Sequence, residues 1–398
     1  MRIATSNAYA NAIQALQTRQ SDLSTTQMQL TTGLRVSKAS DDPAAAARAE
    51  RALAAQARTT AAQRAVDASN NAMTLTESAL GSANDLLQQV HDTMVQAGNA
   101  SLSDSDRQSL AEQIQGLRDQ LLTVANSTDG QGNYLFGGQG STQVPFVDAP
   151  GGVKFVGVAG QTNSASTDQL PLAIDGRAAW LQAPTGNGVF QTSAVQSNGS
   201  AWIDVGSVTD ASQVTGSTYS IDFSVSGGNT TYSILKDGQP TSQSNVAFTP
   251  GKAVQIDGMS ATISGNPADG DQFQLAPSTP TLSVFDALDQ TIADLKTPGR
   301  SAAQIQQANA HDLTSINAAM NQLSSARSAA GSVMNRVNDI TSRLSAQSLS
   351  AQTAQSDAQD LDMTQALSSF TNQQTGYEAA LKAYSMIQGM SMFQYISS

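Results

Sequence analysis

The residue types that most often carry chemistry are sparse in this chain. Its two histidines, His91 and His311, both fall in helix-like stretches. Neither has a second histidine or a carboxylate at the four-residue spacing that places two metal ligands on one helix face. The reading is therefore a pair of solvent-facing helix histidines. No Gly-x-Ser-x-Gly elbow is present to expose a serine nucleophile. Gly251-Lys252 lacks the upstream glycine and following hydroxyl residue of a phosphate loop, and the glycines at 130, 132, 137 and 138 do not make a dinucleotide fingerprint. Asp269-Gly270-Asp271 begins like a calcium loop but lacks its remaining acidic ligands, so it reads as a β-turn. Asp41-Asp42 could act as an acid pair. With Pro43 and an alanine run directly behind, it reads better as a helix cap. No catalytic, metal or cofactor-binding set emerges, and the expectation is a non-enzyme.

Composition points the same way. Only 13% of the 398 residues are charged, about half the usual share, which suits helix surfaces that face other protein. The net charge of −12 argues against binding nucleic acid or an anionic membrane surface. Cysteine is absent, so there is no disulfide framework. No apolar run approaches the roughly 20 residues of a membrane span, and the start shows no apolar signal-peptide core.

The elements that remain are long heptad helices. Tyr9, Leu16, Leu23 and Leu30 recur every seven residues, with Ile13 and Leu34 on the companion row and Gln20 and Gln27 between them. This a/d pattern predicts a helix over 1–34 that ends at Gly33. Asp41-Asp42-Pro43 starts a second helix, expected over 44–99 and roughly 80 Å long at 1.5 Å per residue. Its rows are Val66, Met73, Leu80, Leu87 and Met94, and Ser69, Thr76, Ala83, Val90 and Ala97. Ser103-Asp104 caps a third helix with the stripe Leu110, Ile114, Leu117, Leu121 and Val124, stopped at Asp129-Gly130. The run Gly132-Asn-Tyr-Leu-Phe-Gly-Gly138 reads as a short strand.

From 141 to 280 the character becomes all-β. Short runs such as Val153–Val158, Leu170–Ile174, Ala201–Val205, Thr218–Val225, Thr230–Leu235, Ala253–Ile256 and Gln272–Leu275 alternate with turn pairs. The pairs are Asp175-Gly176, Gly227-Gly228, Asp237-Gly238 and Asp257-Gly258. Trp180 and Trp202 lie here, and the stretch is expected to have its own core. Helix returns over 281–296 and 301–356, the latter with Ile316, Leu323, Ala330, Val337 and Leu344 every seven residues. A last helix carries Met363, Phe370, Tyr377 and Tyr384, with Leu367 and Leu381 on its second row, and runs out near Gly389.

The expected fold is thus mostly α with an all-β insert, the N- and C-terminal helices pairing as a coiled-coil stalk. The terminal seams are thin and interrupted by Gln20, Gln27 and Gln374, so their order should depend on neighbouring subunits.

Thr31-Thr-Gly-Leu-Arg-Val-Ser-Lys-Ala-Ser-Asp-Asp-Pro43 resembles the N-terminal signature of bacterial flagellins, with Gly33, Leu34, Arg35, Asp41, Asp42 and Pro43 as its marked positions. Within that family, the start Met1-Arg-Ile-Ala-Thr-Ser, the segment Asn133-Tyr134-Leu135-Phe136 and the ending Leu361–Tyr395 are more similar to hook–filament junction members than to filament subunits. The resemblance covers about 1–140 and 281–398, and in the insert only the surroundings of Gly265–Phe273. It implies a three-part division: 1–40 with 358–398 as an inner coiled-coil domain, 41–140 with 281–357 as a helical bundle with a short β-hairpin, and 141–280 as the outer β-rich domain. It also implies a homo-oligomeric ring in an extracellular axial structure, export without a cleaved signal peptide through a type III apparatus with its chaperone, and contact with hook-associated protein 1 and flagellin. Two other readings stay open: a filament flagellin, and an adhesion or carbohydrate-binding module on a helical stalk, suggested by Trp180 and Trp202.

Overall fold

In the computed structural model, residues 2–99, 101–140, 142–164 and 168–396 are described. Met1, part of the quoted start motif, lies outside them. The chain divides into two compact units, Met1–Arg64 with Ile340–Ser398, and Ala65–Asp339. Helix α1 covers Arg2–Thr32, α2 Pro43–Ala97 and α3 Asp104–Ala125. A one-turn α4 is Gly176–Trp180, and α5 (Val284–Lys296), α6 (Ala302–Gln359) and α7 (Met363–Ile396) close the chain.

The helix ends follow local chemistry. The Asp42 Oδ1 accepts from the amides of Ala44 and Ala45 at 3.1 and 3.0 Å, so Asp42 caps α2 and Pro43 takes the first helical position. Ser103 and Asp106 form a reciprocal capping box on α3. That helix stops at Ala125, before the expected Asp129-Gly130, because Asn126 is the C-cap and anchors both main-chain groups of Phe146. At the far end, α7 continues past Gly389 to Ile396.

Both heptad rows of α2 are buried. Val66, Met73, Leu80, Leu87 and Met94 are at most 1% exposed, and Ser69, Thr76, Ala83, Val90 and Ala97 at most 2%. The two hydroxyls stay satisfied: Ser69 donates to the Pro171 carbonyl at 2.6 Å and Thr76 to Ala72 at 2.8 Å. From Leu80 to Ala97 these rows meet Ile114, Leu117 and Leu121 of α3, Phe285 and Leu288 of α5, and Ile316 and Leu323 of α6 in one core, while Met73 packs with Ala330 of α6 in a smaller cluster.

Among the described residues, fourteen short strands lie between α3 and α5. They are β1 (Phe146–Ala149), β2 (Gly152–Phe155), β3 (Thr162–Asn163), β4 (Pro171–Ala173), β5 (Phe190–Gln196), β6 (Trp202–Ile203), β7 (Ser207–Val208), β8 (Tyr219–Ser226), β9 (Asn229–Lys236), β10 (Gln239–Pro240), β11 (Val246–Ala247), β12 (Ala253–Ile256), β13 (Met259–Ser264) and β14 (Gln272–Pro277). One antiparallel sheet has the order β10-β9-β8-β14-β5, with β11 also on β9. A second has β12-β13-β6, with β7 also on β13. Their inner faces, including Ile221, Phe223 and Phe273 from one sheet and Ile203, Ile256 and Ile263 from the other, make a sandwich core. Three of the expected turn pairs are two-residue hairpin loops with both residues at positive φ: Gly227-Gly228 (57° and 83°), Asp237-Gly238 (50° and 80°) and Asp257-Gly258 (41° and 76°).

Four expectations need correction. Asp175-Gly176 is not a hairpin turn: Asp175 caps α4 by accepting from the Arg177 and Ala178 amides. Gly132–Gly138 is not a strand, because its only ladder contacts are isolated bridges from Tyr134, Gly137 and Gly138. The stretch 141–280 does not share one core. Phe146, Val153, Ala179 and Trp180 join the helical core, where Trp180 stacks on Phe285 at 5.8 Å and meets Phe136 edge to face at 5.4 Å. The separate sandwich core draws on residues from Phe190 to Leu275. Strands β1, β3, β5, β7, β10, β11 and β13 lie outside the runs expected from the sequence.

Candidate functional site

The positions of interest are the terminal helix pair and its joint. Helix α1 ends at Gly33, whose φ of 72° is a left-handed value glycine adopts without strain. The chain then pairs with the end of α6 and the residue after it: Leu34 bridges Asp360, the Arg35 amide donates to the Gln359 carbonyl at 2.7 Å, and Arg35 Nη2 donates to the Ala358 carbonyl at 2.9 Å. Arg35 also meets Asp42 at 3.4 Å. The Asp41 carboxylate accepts from the amides of Lys38 and Ser37, which hold it below the usual carboxylate range. The Ala45 amide does the same first for Asp42. Both carboxylates are consumed in shaping the joint, which accounts for the pair without acid–base chemistry.

Beyond the joint α1 and α7 run antiparallel. Thr26 Oγ1 donates to Gln373 Oε1 at 2.8 Å, Arg19 lies against Gly376, and the rings of Tyr9 and Tyr384 meet edge to face. A Cβ on Gly376 would come 2.7 Å from Arg19 Nη1, so this glycine leaves room for the guanidinium. One heptad row faces the partner helix: Leu16, Leu23, Leu30, Phe370, Tyr377 and Tyr384 are half-buried, as is Leu34. The other row does not. Ile13 is 42% exposed, Leu367 59% and Leu381 42%, with Met28 and Met386 exposed beside them, and Met363, which heads the first row of α7, is also 52% exposed. The most buried seam positions are Thr26 and Ala366, neither of which the heptad count singles out. The polar contact falls on Gln373 rather than on Gln374, and no signal in the sequence marks Thr26 as its partner.

The Asn133–Phe136 segment lies on the bundle. Asn133 is held by Asp129, with the Asn133 amide and Nδ2 donating to its two carboxylate oxygens at 3.1 and 2.8 Å. Tyr134 bridges Thr128, while Leu135 and Phe136 are 2% and 0% exposed in the helical core. Leu135 and Phe136 thus set packing, while Asn133 stays exposed.

The chemistry-capable residues resolve into structural roles. Asp271 is fully buried and accepts from the amides of Asn198, Gly199 and Ala268, and Asp269 accepts from Val225, so the Asp-Gly-Asp turn spends its carboxylates on main chain. Among the described residues, no group of three or more histidines and carboxylates could hold a metal. No helix there is long and apolar enough to cross a membrane. The histidines are not solvent-facing as expected. His91 and His311 are half-buried, and each has a ring nitrogen sealed from solvent without a hydrogen-bond partner. Trp180 is 0% exposed and Trp202 half-buried, so the aromatic platform that suggested a sugar-binding module is not presented.

Sequence reasoning also passed over Arg118, 4% exposed on its side chain. It pairs with Asp148 of β1 through two bonds at 2.8 and 3.0 Å and with Asp289 of α5 through two more. This ties the β1–β2 hairpin to the bundle.

Residues 3–141 match the model of the bacterial flagellin N-terminal helical region and 313–396 that of its C-terminal helical region. Residues 192–277 match a model described as flagellar hook-associated protein 1, D2-like domain. Flagellar hook-associated protein 3 of Escherichia coli is 27% identical over 398 residues, 99% of each chain, and that of Salmonella typhimurium is 26% identical over the same span. Among solved structures, FlgL of Xanthomonas campestris superposes with a TM-score of 0.68 at 28% identity, covering 77% of this chain and 99% of its own. Flagellar hook associated protein-3 of Legionella pneumophila gives 0.68 at 27% identity, with 73% and 93% covered.

Proposed function

The chain belongs to the bacterial flagellin family and is a structural component of the flagellum, and from that premise we propose that it joins the hook to the filament. In this reading it forms a homo-oligomeric ring between hook-associated protein 1 and the first flagellins, outside the cell. It reaches that place through the type III export apparatus with a chaperone, and it carries no enzymatic activity.

One observation carries the assembly role. The second apolar row of the α1–α7 pair, with Ile13, Leu367 and Leu381, stays 42–59% exposed in a single chain. A two-helix seam this thin gains little from its own burial, so a neighbour that covers the exposed row supplies the missing stabilisation. On this reading 1–40 with 358–398 forms the inner shell, 41–140 with 281–357 the helical shell, and 141–280 the outer β-rich part. The end-to-end similarity to hook-associated protein 3, in both chains to 99%, favours the junction over the filament.

The direct alternative is a filament flagellin, which elongates without limit. Purified chain in polymerising salt separates them. The junction reading expects short oligomers at most under conditions where flagellin grows filaments. Long homopolymers of this chain would overturn it.

A further inference from the structure

The first part of α2 carries three cations that its own chain leaves unanswered. Arg48, Arg51 and Arg58 are all exposed. On a helix a side chain meets those three and four positions away. For these arginines every such position holds alanine or another of the three. At 3.6 residues per turn they fall within an arc of about 80°, and Glu50 points about 100° away from Arg51. Among the described residues none of the three forms an ion pair. Arg51 only returns its Nε to the Ala47 carbonyl of its own helix at 3.1 Å, which leaves its two outer nitrogens uncommitted.

Charge divides unevenly between the two units. Residues 1–64 and 340–398 hold ten Lys and Arg against eight Asp and Glu, whereas 65–339 hold ten against 24. A bare cationic face on the first unit and a surplus of carboxylates on the second are complementary between copies of the chain. Carboxylates that fit lie further along α2. Asp85 and Asp92 are exposed and seven residues apart, as Arg51 and Arg58 are, so two α2 helices side by side bring both pairs together at once. The Asp85 side chain has no bond among the described residues, and Asp92 has only Gln88 at 3.0 Å and His91 at 3.5 Å. We infer that the Arg48–Arg51–Arg58 face docks a second copy of this chain through that copy's Asp85 and Asp92. The inference deepens the assembly reading above and rests on it. Arginine suits the contact because its planar fork pairs a carboxylate through two bonds, and the alanines around it let a neighbouring helix come close. A polyanion would be drawn to the same arginines but repelled by the chain's net charge of −12.

The chain has no cysteine, so Arg58→Cys with Asp92→Cys puts one thiol on each face. The full chain carrying both, expressed in a strain deleted for it and treated on intact flagella with a short bis-maleimide, should give dimers and longer ladders on a denaturing gel. Each single variant should give monomer only. Arg51→Glu with Arg58→Glu should lower the fraction of hooks bearing filaments by about tenfold or more, since like charges then face each other, while the chain still reaches the medium. Adding Asp85→Arg and Asp92→Arg to that variant should restore filaments. Monomer alone from filament-bearing cells of the double-cysteine strain, filaments kept by Arg51→Glu with Arg58→Glu, or no rescue by the second reversal would overturn the interface. If the unaltered chain fails to restore filaments to the deletion strain, the assembly reading itself falls, and the interface with it.

Discussion

Tyr9 and Tyr384 meet edge to face, their ring centroids 6.3 Å apart and their planes at 89°. They join residues from the two ends of the chain and fix the register of the α1–α7 pair near its open end. Leu34 and Asp360 fix it at the other. Between these points the contact is half-buried rather than closed, and the first two predictions follow from that.

Leu23→Asp places a charge on the half-buried row and should abolish swimming while leaving secretion intact, because burying an unpaired carboxylate in the assembled seam costs several kcal/mol. Leu367→Asp is the sharper variant. Leu367 is 59% exposed in the single chain, so monomer circular dichroism should not change while swimming is lost. Swimming retained by both variants would mean that neither row is covered in the assembly.

Limited proteolysis should trim about the first and last 35 residues of free monomer, since an isolated thin helix pair frays. The core from α2 to α6, whose heptad rows are closed, should resist. Incorporated subunits should be protected throughout. Equal resistance of ends and core in dilute monomer would contradict the reading.

Arg118→Ala strands Asp148 and Asp289 at the join between hairpin and bundle. Complete burial of such a network would put the loss at about 3–5 kcal/mol. Because the Asp148 side chain is half exposed, a loss of roughly 2–3 kcal/mol in denaturant unfolding is expected. Arg118→Lys should recover only part of it, since a lysine cannot make both forked pairs.

Asp312 is 3% exposed with Oδ2 unpartnered, and burial first, then Asp294, raises its carboxyl to about 8. The folded state thus binds a proton that the unfolded state releases near 3.8. The stability it contributes is complete below about pH 4 and is lost as pH rises towards 8, by at most about 1.4 kcal/mol per pH unit. Asp312→Asn should flatten that decline, so the gap between variant and parent in urea midpoint should widen from pH 5 to pH 8. A constant gap would refute the assignment.

The legibility of this fold varied with how many constraints acted on each residue. In α2 both heptad rows carry residues that tolerate burial, and both are buried. In α1 and α7 the period predicts the helices but not which row meets the partner, because Ile13 and Leu16 are chemically alike and only the three-dimensional register separates them. The hairpin turns were readable because Gly227-Gly228 and Asp257-Gly258 supply the positive φ that such loops demand. Strand β5, Phe-Gln-Thr-Ser-Ala-Val-Gln, was not, since it is an edge strand with four exposed residues in a row and little alternation. Asn-Tyr-Leu-Phe looked like a strand from its aromatic content, yet Leu135 and Phe136 are fixed by packing in the helical core. The burial of Asp312 and the pairing of Thr26 with Gln373 depend on tertiary contact alone.

The most direct test of the junction role is a deletion of this chain, scored by electron microscopy of the cells and by flagellin in the medium. Hooks should still form, filaments should be absent, and unpolymerised flagellin should accumulate outside the cell. Filaments of normal length on the mutant hooks would contradict the account.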